Sequence, residues 1–366
     1  MNTEVKNKVV TAVLIAYFAG LALCCWIKPT EVFSDSERRT LEQFPQVSVE
    51  SILSGTFMTD FEDYTLDQFP FRDEFRNIKA VTVSYLMNQS DNNGIYVEDG
   101  YVTRMEYPLN AASIQHAAER FTHVYEKYLA GTETKVYVSI VPDKNYFMAE
   151  ESGHLALDYT ALTETLLSEM EFAEYIDITG ILSLEDYYKT DTHWRQECIA
   201  DVAEVLGSRM GAEVAGVYEE HVLDKAFYGV YYGQAALPLP AEEIKYLTSG
   251  VLSECKVYDY QNDREIGIYD LKKAHGKDPY ELFLSGSLSL ITIENPKADT
   301  DKELLLFRDS FGSSIAPLLA EGYSKITLVD IRYLHPDMLG RYIEFGNQDV
   351  LFLYSTLVLN HAETMK

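Results

Sequence analysis

A chain of 366 residues exceeds one typical domain, yet it stays within reach of a single α/β unit with appendages. Its composition, 47% hydrophobic with 27 Tyr and 17 Phe, has the apolar content that long disordered segments lack. With 58 acidic against 30 basic residues, the net charge of −28 repels phosphate backbones and anionic headgroups, which argues against a nucleic-acid partner and against a protein lying flat on a membrane.

Residues 9–27 carry no charged side chain and follow Lys6 and Lys8. The run is long enough to cross a bilayer as a helix. A retained signal anchor over residues 1–27 is the preferred reading, since a cleaved signal peptide usually has a shorter apolar core. Leu23, just before Cys24, does not suit a lipoprotein cleavage site. Basic residues flank the run on both sides, so the remainder of the chain is assigned to the extracytoplasmic side because the anchor opens the chain, not from charge. Past the anchor only Cys198 and Cys255 remain, and whether they pair is open.

Residues 28–93 are polar, punctuated by Phe44-Pro45 and Phe69-Pro70, with Phe57, Phe61 and Tyr64 at helical intervals and a second helical stretch at 75–87. They form a helical stalk or cap, or else pack on the main core. From residue 94 a hairpin is expected, with Asp99-Gly100 supplying its turn. A helix over 111–129 and a buried strand over 135–141 follow. The alternation continues with a helix over 159–172, a strand at 174–178, a helix to about 210, a strand over 303–307, a helix over 313–320, a strand over 325–331, a helix at 336–341 and a strand over 349–354. Such a rhythm implies an α/β domain over 94–366, with a mostly parallel sheet flanked by helices. Residues 211–300 break it with Gly229, Gly233, Pro238 and Pro240, and are read as a large insertion of loops and strands.

Two distant segments carry chemistry. Arg308-Asp309-Ser310-Phe311 follows the apolar run Leu304-Leu305-Leu306-Phe307, so Ser310 sits at the C-terminal end of a strand, where α/β sheets gather their sites. The helix opening at Phe311-Gly312-Ser313-Ser314 offers backbone N–H groups and a positive dipole end to a developing oxyanion, and Gly312 permits close backbone approach. Plain helix capping by Asp309 and the serines is the alternative. In Asp191-Thr192-His193-Trp194, Asp191 is placed to orient His193, as acyl transfer by a serine requires. A cap beside a surface histidine is the alternative there, and no second ligand group at metal spacing stands nearby.

These two motifs, together with Val141-Pro142-Asp143-Lys144 and Asp67-Gln68-Phe69-Pro70-Phe71-Arg72, resemble the DHHW protein family, which is similar to the alginate O-acetylation proteins AlgJ and AlgX. The resemblance implies a circularly permuted SGNH-hydrolase-like domain and a triad of Ser310, His193 and Asp191. Thr192 replaces the second residue of the family motif, a position without assigned chemistry. The segment 329–333 also resembles the family, so Arg332 or Tyr333 is expected to contact acyl group or sugar, unless Asp330 and Arg332 form a structural ion pair. Lys144 is expected at the same rim, binding substrate or simply solvated. By resemblance the protein is an extracytoplasmic, membrane-anchored O-acetyltransferase acting on a cell-surface polysaccharide, with no cofactor or metal, its acyl group delivered by a multipass membrane acyltransferase of the MBOAT type. A carbohydrate acetyl esterase with the same triad, and a non-catalytic polysaccharide-binding scaffold, are the rivals.

Overall fold

The structure is a computed structural model that describes residues 3–366. The chain divides into two compact units, one comprising residues up to Asn92 together with Tyr232–Pro238, the other Asn93–Tyr231 with Leu239–Lys366.

In the first unit, α1 (Thr3–Ile27) has a mean hydropathy of 2.2 over 18 residues and buries none of them, so it is long and apolar enough to cross a membrane. The helices α2 (Val49–Ser54), α3 (Thr56–Asp67) and α4 (Arg72–Val81) follow. The helical spacing of Phe57, Phe61 and Tyr64 puts all three rings edge-on to Phe44, with centroids 5.4–6.4 Å apart. Asp67 is buried and accepts two hydrogen bonds from Arg39 at 2.5 and 2.8 Å and one from the Glu42 N–H at 2.9 Å. Arg76 of α4 donates to the Gly233 carbonyl at 2.8 Å, which ties the returning segment into this unit.

The second unit is built on an eight-stranded sheet. Its strands are β1 (Val136–Val141), β2 (Glu174–Tyr175), β3 (Lys256–Asp259), β4 (Arg264–Ile266), β5 (Leu290–Glu294), β6 (Glu303–Arg308), β7 (Lys325–Val329) and β8 (Asp349–Ser355). Their order across the sheet is β4-β3-β5-β7-β6-β8-β1-β2. The block from β7 to β2 is parallel; β5, β3 and β4 extend its other edge antiparallel. Along β6, Leu304 and Leu306 join the core that contains Val202 and Leu206 of α8 (Ala200–Arg209) and Ile315 and Leu319 of α9 (Gly312–Leu319). Leu305 and Phe307 point the other way, into the core with Phe121 of α5 (Ala111–Val124) and Leu166 of α7 (Tyr159–Glu169). Period-two alternation between two buried faces is why this strand reads as one unbroken apolar run. The α/β sheet flanked by helices is as the alternation implies.

Residues 211–300 behave differently from the insertion expected of them, because they supply β3, β4 and β5, part of the sheet itself. Only β3 and β4 join through a tight link; between β4 and β5 residues 267–289 carry just the short helices Leu271–Ala274 and Pro279–Leu282, so no strand–helix rhythm is left to read. The strand expected at 174–178 shrinks to Glu174–Tyr175 at the opposite edge. Cys198 and Cys255 are separate free thiols.

Candidate active site

The strand β6 ends at Arg308, Asp309 and Ser310 make the turn, and α9 opens at Gly312. Asp309 pins this turn to the neighbouring strand. Its Oδ2 accepts from the Ser355 N–H and hydroxyl at 2.8 and 2.7 Å, and its Oδ1 from the Phe311 N–H at 3.0 Å. Arg308 is fully buried beneath, where burial lowers its pKa and the Asp330 charge opposes the shift. A Cβ on Gly312 would come within 2.5 Å of the Arg308 Cβ, so the glycine makes room for this side chain rather than for a ligand. The N–H groups of Gly312 and Ser313 bond the carbonyls of Asp309 and Ser310 at 3.1 Å each. The α9 dipole, rather than these amides, is what the turn offers a developing negative charge.

The second loop is closed at its neck by a bridge between Tyr187 and Trp194 and by the Tyr188 N–H donating to the His193 carbonyl at 3.1 Å. Within it, Oδ1 of Asp191 accepts from the His193 N–H at 3.1 Å and lies 2.6 Å from Nδ1 of the ring. Its Oδ2 accepts from the Val230 N–H at 2.8 Å. With the carboxylate at Nδ1, that nitrogen carries the proton and Nε2 presents its lone pair. Nε2 stands 2.8 Å from the Ser310 hydroxyl oxygen. Asp191, His193 and Ser310 are thus joined in one hydrogen-bonded line, with Asp191 buried, His193 9% exposed and Ser310 half-buried.

The imidazole is also held flat. Tyr280 stacks on it with centroids 3.8 Å apart and planes 8° from parallel, and Phe311 lies 5.0 Å from it. The Tyr280 hydroxyl and the Trp194 indole N–H both donate to the Ser314 hydroxyl at 2.8 Å. Burial holds the Tyr280 phenol far above its ordinary pKa, so it stays a donor.

Arg332 and Tyr333 lie beside each other, and Lys144 is buried elsewhere on the rim. Arg332 forms a two-bonded ion pair with Asp330, at 2.9 and 2.6 Å, and its guanidinium lies 5.5 Å from the centre of the half-exposed Tyr333 ring. Lys144 is 1% exposed, against the expectation of a solvated lysine. It opens α6 (Lys144–Ser152) directly after β1, and the 188–190 backbone covers it: its Nζ donates to the Tyr188 and Lys189 carbonyls at 2.9 Å each. Among the described residues, no group of three or more His, Cys, Asp or Glu side chains is arranged to hold a metal ion.

No protein-family model and no curated protein matches this sequence. Solved structures do match. A DHHW family protein from Eubacterium siraeum superposes with a TM-score of 0.59 at 19% identity, over 75% of this chain and 95% of its own. The fold is that of the DHHW protein. Bacillus cereus PatB1, solved with a sulfonyl adduct, superposes at 0.57 with 17% identity over 72% of this chain and 97% of its own. The O-acetyltransferase domain of Pseudomonas putida AlgJ aligns more loosely, at 0.45 with 11% identity over 73% of this chain and 92% of its own.

On this DHHW fold the variant position of the motif, Thr192, faces Tyr231, whose hydroxyl approaches its Oγ1 to 3.5 Å. Several residues that the motifs do not mark complete the site, and most come from the stretch taken for an insertion. Tyr280 supplies the stack, Val230 the second anchor of Asp191, and Gly229 the space beside it. A Cβ on Gly229 would stand 2.3 Å from the Thr190 carbonyl and the Asp191 nitrogen. Glu242 accepts from the Lys189 and Thr190 N–H groups at 2.6 and 2.7 Å. A glycine and a carboxylate in a loop are too common to single out from sequence; only Ser314, four residues past Ser310, had a local signal.

Proposed function

We propose that this protein is an extracytoplasmic O-acetyltransferase that passes an acetyl group through an ester on Ser310 to a hydroxyl of a cell-surface polysaccharide. The observation that carries the reading is the line from Asp191 through Nδ1 and Nε2 of His193 to the Ser310 hydroxyl, at 2.6 and 2.8 Å. In the first half, Ser310 Oγ attacks the acetyl carbonyl carbon while His193 Nε2 takes the hydroxyl proton. Asp191 stabilises the resulting imidazolium, and the departing alcohol leaves with the proton. In the second half, His193 accepts the proton of a sugar hydroxyl as its oxygen attacks the acetyl-serine, and returns a proton to Ser310. Transfer to sugar rather than water requires the acceptor to be held in line. Tyr333, half-exposed and backed by Arg332, is suited to lie against a sugar ring. The acyl group reaches the outer face from a membrane acyltransferase of the MBOAT type, and α1 holds the chain at that surface.

The test is to supply the purified protein with an acetyl ester donor, with and without an oligosaccharide acceptor. Acetylated oligosaccharide, lost in Ser310→Ala, supports the transferase. Acetate release indifferent to the acceptor makes the protein an esterase. Unchanged surface acetylation in cells carrying Ser310→Ala, with loss on deletion, leaves only a scaffold role.

A further inference from the structure

The loop that carries Asp191 and His193 is gripped by two charges of opposite sign. The buried Lys144 ammonium donates to the carbonyls of Tyr188 and Lys189 at 2.9 Å each. The Glu242 carboxylate accepts from the N–H groups of Lys189 and Thr190 at 2.6 and 2.7 Å, and from the Thr190 hydroxyl at 2.5 Å. The Tyr188 carbonyl and the Lys189 N–H belong to one peptide plane, and the Lys189 carbonyl and the Thr190 N–H to the next. Two consecutive peptide units therefore have both carbonyl ends on a cation and both N–H ends on an anion. Each peptide dipole lies along the field between the charges, and charge-assisted bonds are the strong ones. The next residue is Asp191.

We propose that Lys144 and Glu242 are positioning residues that act as one clamp on the two peptide units before Asp191, fixing where that carboxylate, and through it the His193 ring, stands. The proposal rests on the acyl-serine reading and adds to it how the acid–base pair is held. The surroundings agree with a cation retained for a purpose. The Lys144 Nζ lies 5.1 Å from the centre of the Tyr231 ring, and the charges of Asp191, Glu242 and Asp143 favour its protonated form although burial pushes it down to about 7. The hydrogen bonds of both side chains go to residues 188–190 and none to Ser310.

The test compares, below pH 7 where Lys144 keeps its charge, full-length wild type in detergent with Lys144→Met, Glu242→Gln and the double variant. Two reactions are followed: the rate at which a sulfonyl fluoride labels Ser310, read by intact mass with Ser310→Ala as blank, and the hydrolysis of 4-nitrophenyl acetate. Each single variant is expected to lose roughly a hundredfold in labelling rate and kcat, as for a displaced catalytic group, with KM changed little. The double variant should lose less than the product of the two, since both charges act through the same peptides. The His193 Nδ1 proton, bonded to Asp191, gives a downfield proton resonance that needs no substrate, and it should shift or broaden in both single variants. A cooperatively melting Lys144→Met or Glu242→Gln protein with wild-type rates and an unmoved resonance overturns the clamp. Should Lys144→Met fail to fold, Glu242→Gln decides, because its side chain is partly exposed. A wild type that neither labels nor hydrolyses, yet whose resonance moves in the variants, overturns the acyl reading and leaves the clamp standing.

Discussion

At His193 each contact restricts a different motion: Asp191 fixes the protonated nitrogen, Tyr280 fixes the ring plane and Ser310 meets the free lone pair. The stack also faces the charge that the ring acquires when it takes the serine proton, and a tyrosine face favours that cation. Tyr280→Phe keeps the stack and loses only the bond to Ser314, so ester hydrolysis should stay within a few-fold. Tyr280→Leu removes the face and should lower kcat about tenfold, near the upper value of such a pair. Equal losses in the two variants would assign the effect to the hydroxyl instead. Lys144 makes a second prediction at this scale. Its folded-state pKa, about 7, lies below the ordinary lysine value of 10.5 because of burial, so between those limits the unfolded chain binds more protons than the folded one. Stability must then rise with pH across that window and be flat in this term below it. The thermal midpoint of the wild type should climb from pH 7 to 9 relative to that of Lys144→Met; parallel curves would refute the shift. The three line-forming residues were legible because each sits in a short motif. Tyr280 was not, since its ring meets His193 across 87 positions of chain and no spacing encodes that meeting.

Among the elements, the parallel strands were the readable ones. Leu304 to Phe307 is apolar without interruption because both sheet faces are covered, and β8 and β1 are buried in the same way. The antiparallel edge was legible only as strands of an insertion, not as part of the sheet. Of its strands, β4 has no fully buried residue and β3 alternates, and only the short helices Leu271–Ala274 and Pro279–Leu282 stand where a parallel crossover would place a long one. The helix Val230–Ala235 starts at the amide that Asp191 accepts, and Gly229 before it lies against the Thr190–Asp191 backbone. Because the nearest atoms are backbone and cannot swing aside, Gly229→Ala must move the loop. It should cost about 1–3 kcal/mol in denaturant unfolding, as overpacking does. Ester hydrolysis should fall by more than that stability loss alone explains; unaltered kcat would show that the loop tolerates the shift.

Over the whole molecule, charge and the N-terminal helix act together. A net charge of −28 disfavours contact with anionic headgroups, so membrane attachment would rest on apolar burial, and among the described residues α1, with no residue buried, is the helix long and apolar enough for it. Deleting residues 1–27 should move the protein from the membrane to the soluble fraction on ultracentrifugation. Persistent sedimentation with membranes would place the attachment elsewhere. In intact cells stripped of their wall, added protease should remove the region after α1 if it lies outside.

By itself the sequence determined the anchor-length helix, the helix-flanked parallel sheet and the two motif loops, because each is written in local periodicity or in residues a few positions apart. Tertiary structure alone decided that the stretch 211–300 completes the sheet, that Lys144 turns inward to a backbone and that Tyr280 and Glu242 hold the imidazole and its loop. Those outcomes depend on contacts between residues far apart in the chain, where many partners are chemically equivalent and only the packed geometry selects one.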